Sequence, residues 1–134
     1  MKSLKVILWI TAVGCLVAVP FTILPWSVIQ DFIKWFGIVP IPDNLLAMYI
    51  IRVSCGVYGL IGIFFIILAN NPLNYVPMVR LGAYGLIIFS LLAFGIGINL
   101  KLSPIVYMGD FLGSLILGIA IIILLPKTQS TVSR

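Results

Sequence analysis

The chain has 134 residues, of which 63% are hydrophobic and 8% charged, with a mean hydropathy of +1.29. A soluble domain is about 45–50% apolar and about 25% charged, so these few charges cannot clothe a water-facing surface and lipid must cover most of the exterior. The net charge of +5 is spread over scattered lysines and arginines without a basic patch, which argues against nucleic acid, and the lack of histidine removes His-ligated haem, a His general base and catalytic zinc. No cofactor is expected.

A bilayer-spanning helix needs about 20 apolar residues. The first such stretch runs from about Val6 to Leu24. Its start, "MKSLKVILWITAVGC", has the basic head and apolar core of a leader peptide, but the apolar run continues past Cys15, so a retained helix is expected. Cys15, like Cys55 further on, lies in an apolar run and reads as a small hydrophobe.

Between the first two spans, "PWSVIQDFIKWFGIVPIPD" carries Trp26, Ile29, Phe32, Ile33 and Phe36 at helical spacing. Ser27, Gln30, Asp31 and Lys34 fall opposite, and Gly37 supplies a C-terminal stop. This predicts a short amphipathic helix over about 27–36, lying in the membrane interface as a cap, a lid or a docking surface.

The second span, about Leu46 to Ala69, contains "YIIRVSCGVYGLIG", and Arg52 sits about six residues inside it, ~9 Å from its start. A lone cation at that depth costs several kcal/mol, so it normally faces other helices and has a partner. Gly56, Gly59 and Ile63 share its helix face, with Tyr49 beside them. "LANNPLNYVP" then reads as a tight turn.

The third span, about Leu81 to Leu100, is rich in glycine: Gly82, Gly85, Gly95 and Gly97. The fourth, about Ile105 to Leu125, holds Asp110 about five residues in. Ser103, Tyr107, Gly113 and Ser114 flank the aspartate, and Gly109 with Gly113 makes the small-xxx-small pattern of close helix packing. The short polar tail that follows, 126–134, is expected to be disordered.

One side of the membrane would hold Lys2, Lys5, Arg80, Lys127 and Arg134, the other Lys34 and Lys101, which places both termini in the cytoplasm of a cell membrane. Trp26, Trp35 and Tyr107 then fall near the outer interface, and Trp9 and Tyr75 near the inner one. The second and fourth spans run the same way, so Arg52 and Asp110 lie at similar depth, and Asp110 is the one acid within a span. An Arg52–Asp110 ion pair joining these helices follows, with Tyr49, Tyr107 and Ser114 around it and Gly56, Gly59, Gly109 and Gly113 serving helix packing. The fold class is all-α: one domain over 1–134, a four-transmembrane-helix antiparallel bundle with an interfacial helix between helices 1 and 2.

"YIIRVSCGVYGLIGIFFIILA" and "YMGDFLGSLILGIAIIIL" resemble the second and last helices of uncharacterised four-helix inner-membrane proteins of prokaryotes, families that bring no activity with them. Small multidrug transporters have the same helix count, but they resemble this chain less, since their essential acid stands in the first helix and here that helix has no charge within its core.

No nucleophile–base set, phosphate loop or metal cluster is present, so no enzymatic activity is expected. Two readings remain. One is a non-catalytic subunit or helper that associates with itself or other membrane proteins. The other is a binder or transporter of a lipid or small anionic molecule, with a polar outer-leaflet pocket around Arg52 and Asp110. A guanidinium whose donors are not all consumed internally would favour the second.

Overall fold

A computed structural model describes residues 2–38, 41, 43–102 and 104–132, with side chains for all of these except 106 and 127–132. Ser103 and Arg134 lie outside the described residues. The chain folds into helices α1 (Lys2–Leu16), α2 (Trp26–Trp35), α3 (Leu45–Asn70), α4 (Val76–Asn99) and α5 (Pro104–Val132), with a 3₁₀ turn at Val19–Thr22 after α1. There is no strand among the described residues. Four stretches are long and apolar enough to cross a membrane: Lys2–Thr22, Leu45–Asn70, Val76–Asn99 and Tyr107–Pro126. This is a multi-pass helical membrane protein.

Local chemistry explains the helix ends. Pro20 has no N–H and its ring crowds the preceding turn, so α1 stops at Leu16 and the span finishes as a 3₁₀ turn in which Phe21 N–H donates to the Ala18 carbonyl. Helix α3 is preceded by Asn44, whose side-chain oxygen accepts from Leu46 N–H at 2.9 Å, an N-cap of the usual kind. Helix α4 starts earlier than hydropathy alone places it, at Val76, with Pro77 in its first turn, where a missing N–H costs nothing.

The polar tail differs from expectation: α5 continues through Pro126 to Val132. A helix once formed gains a hydrogen bond for each residue added, except at Pro126, which has no N–H and leaves one gap in the ladder that α5 spans.

Two compact units can be distinguished, residues 1–11 with 65–134, and residues 12–64. In the first lie most of the buried apolar side chains, including Leu4, Leu8, Phe65, Leu68, Val79, Ala83, Ile121 and Leu125, none more than 2% exposed. Here α4 packs on α5. Late α4 meets early α5: Phe94 stands 6.0 Å from the Tyr107 ring and 4.7 Å from that of Phe111. Early α4 meets late α5: a Cβ on Gly118 would fall 2.8 Å from Ile87 Cγ1 and 2.9 Å from the Ala83 carbonyl. Lys5 Nζ of α1 donates to the Asn70 carbonyl at 2.9 Å, closing the C-terminal end of α3 with a cation.

In the unit 12–64, the first span and α3 touch through glycine. A Cβ on Gly62 would lie 2.8 Å from Leu16 Cγ, and one on Gly59 2.7 Å from Val19 Cγ2. Helix α2 buries Ile29 and sets Phe32 5.0 Å from both Phe21 and Phe36, while Trp35 is 79% exposed. Asp31 and Lys34 form an exposed ion pair at 3.7 Å. Gln30, expected on that polar face, is instead half-buried, its amide turned inward to donate to the Ile41 carbonyl.

Candidate functional site

The N-cap at Asn44 fixes where α3 begins, and Arg52 follows two turns later, about 10 Å along the axis from Leu45. Its long side chain lets the guanidinium reach back towards the start of the helix. There Nη2 donates at 3.4 Å to the carbonyl of Leu24, which is freed because Pro25 opens α2 next in the chain. At that distance the bond is weak. Arg52 Nε is buried with no partner. A buried donor left unsatisfied costs about 1–3 kcal/mol, so the guanidinium is under-supplied with acceptors.

It is not alone. Among the described residues, the other buried side-chain atoms without a partner are Thr22 Oγ1 and Gln30 Oε1, both in the same unit. Beside them a hydrogen-bonded latch holds α2 to the start of α3. Trp26 Nε1 donates to Asp43 Oδ1 at 2.6 Å, and Gln30 Nε2 approaches the same oxygen at 3.5 Å. Sequence reasoning missed this latch, since its partners stand 17 and 13 residues apart with no periodicity to join them.

Of the other residues singled out on α3, Tyr49 is 66% exposed, Gly59 is packed against Val19, and Gly56 has nothing within 4 Å of where a Cβ would stand. On α5, Tyr107 lies over Gly97, so its ring is committed to α4. Ser114 is half-buried. Asp110 is exposed, and its neighbours Gly109 and Gly113 both have open space around the Cβ position. Arg52 belongs to the unit 12–64 and Asp110 to the other.

No protein family, curated protein or solved structure matches this chain.

Proposed function

We propose that this chain is a non-catalytic membrane subunit or helper, acting by association with a second copy of itself or with another membrane protein. The observation that supports this is the face of α5 around Asp110. The carboxylate is exposed on a helix long and apolar enough to lie in lipid, between two glycines with nothing against them. A carboxylate facing acyl chains is unfavourable, by about 2.5–3.5 kcal/mol at the centre of a span and by less near its end, where Asp110 stands. Bare glycine backbone lets another helix come close enough to exclude lipid from it. A covered Asp110 face removes that cost, and an Arg52 side chain, of this chain or of a second copy, is the natural counter-charge.

In this reading the four spans form an antiparallel bundle in a cell membrane with both termini cytoplasmic, and α2 lies in the outer interface. The test is single-molecule energy transfer in bilayers at decreasing protein-to-lipid ratio, comparing the wild type with the Gly109→Ile, Gly113→Ile double variant. Persistent transfer that the double variant loses while keeping its helix content supports association. A wild type that is monomeric at every dilution, and that brings no other membrane protein through purification, rejects it.

The unpartnered Nε of Arg52 favours a second reading, a lipid or small anionic ligand held near Arg52 and Tyr49. Native mass spectrometry from lipid discs separates the two. A discrete adduct lost in Arg52→Ala favours the ligand.

A further inference from the structure

At the other end of α4 and α5 there is a cavity of about 190 Å³ with an arginine at its edge. Its floor is apolar and buried, formed by Ala83, Ile121 and Leu125. Arg80 and Tyr84, four residues apart and therefore on one face of α4, form its exposed wall. Among the described residues Arg80 makes neither an ion pair nor a side-chain hydrogen bond.

No acid in its unit can serve it. In residues 1–11 and 65–134 the one carboxylate side chain is Asp110, eleven residues before Ile121 on α5 and so about 16 Å away along that helix. Two lysines of the unit stand towards Arg80's end, while Lys101 closes the opposite end of α4. Lys5 is bonded to Asn70, which is joined to α4 by the short turn 71–75, and Lys2 is one turn before Lys5 on α1.

We propose that this cavity is a binding site for an anionic phospholipid, with the phosphate on the Arg80 guanidinium and the first part of an acyl chain over Ala83, Ile121 and Leu125. Arginine presents paired N–H donors that match phosphate geometry. Basic pockets between membrane helices are suited to anionic headgroups. The apolar floor selects an amphiphile over a free anion. Size points the same way: pockets that enclose a small molecule have about 300–1,000 Å³. This one takes only part of a ligand, whose remainder runs along the exposed Tyr84 in the acyl layer, as a lipid's does. The site is separate from Arg52 and Asp110 and stands or falls without them.

The experiment is native mass spectrometry of the full chain in detergent, titrated with phosphatidylglycerol, with phosphatidylcholine, or with phosphatidylglycerol in the presence of millimolar inorganic phosphate. Arg80→Gln is compared with Lys34→Gln, which removes the same charge elsewhere; both positions are exposed, and circular dichroism checks that each variant keeps its helix content. The expected result is a phosphatidylglycerol adduct preferred over phosphatidylcholine, weakened about tenfold by Arg80→Gln, as for loss of a charge-assisted contact. Lys34→Gln leaves it unchanged. Equal binding of the two lipids, or an Arg80→Gln protein that binds like wild type, overturns the proposal. Displacement of the lipid by inorganic phosphate overturns it too, assigning the site to a free anion.

Discussion

At Gly97 a Cβ would stand 2.4 Å from Tyr107 Cγ, closer than real side-chain atoms approach, whereas at Gly113 nothing lies within 4 Å. The two glycines read alike in the sequence and differ in consequence. Gly97→Ala must push the Tyr107 ring off α4, and overpacking of this kind costs about 1–3 kcal/mol. Gly113→Ala is expected to leave the isolated chain's stability within about 0.5 kcal/mol. Reversible unfolding in mixed micelles measures both, and equal losses at the two positions would contradict the contrast. A third residue sets a different constraint. Lys101 has φ of 52° and closes α4 by a Schellman motif, with Leu102 N–H donating to Gly97 and Lys101 N–H to Ile98. That left-handed position suits glycine. Lys101→Gly is therefore expected to stabilise the protein by up to about 1 kcal/mol in the same assay.

Among the elements, α2 shows best how much the chain announces. Its apolar spacing predicts a helix over about 27–36, and the helix found is Trp26–Trp35, stopped at Gly37 with φ of 70° by the same Schellman pattern. What ties it down was not legible. Asp43 accepts from Trp26 and approaches Gln30, and neither contact follows from an amphipathic pattern that assigns Gln30 to the polar face. Asp43→Ala removes the acceptor of both. Amide exchange over residues 27–35 is then expected to accelerate, while α4 and α5 keep their protection. Unchanged protection of α2 would show that Ile29 and the Phe21–Phe32 contact suffice to hold it. Loss of the Asn44 cap acts on a different element: Asn44→Ala is expected to cost about 0.5–2 kcal/mol at the start of α3, read as lower stability of the whole protein.

For the whole molecule, the distribution of charge carries the two open proposals. If Arg52 and Asp110 neutralise one another, within a chain or between copies, then Arg52→Ala and Asp110→Ala each leave a charge without its partner and destabilise by several kcal/mol. The exchanged protein, Arg52→Asp with Asp110→Arg, is expected to recover part of that loss. An exchanged protein no more stable than either single variant would dissolve the pairing. Orientation is tested separately: in sealed bacterial cells, a cysteine placed at Lys34 should react with an impermeant maleimide, and one placed at Lys127 should react only after lysis. The reverse pattern would invert the topology.

Hydropathy and the positions of proline, asparagine and charge are local quantities, so the sequence by itself determined that the chain is helical, that four stretches suit a bilayer, and that Arg52 and Asp110 are its costly residues. The starts of α3 and α4 lie earlier than hydropathy places them, where the capping chemistry of Asn44 and Pro77 outweighs it. Tertiary structure alone decided which glycines are pressed against a neighbour and which lie bare, because a glycine's packing depends on residues remote in the chain, such as Val19 over Gly59 and Tyr107 over Gly97. It also decided that Arg52 spends one weak bond on the Leu24 carbonyl and that Arg80 borders a cavity. Helix periodicity gives a side chain its direction from the axis; only the approach of a second helix determines what it meets there.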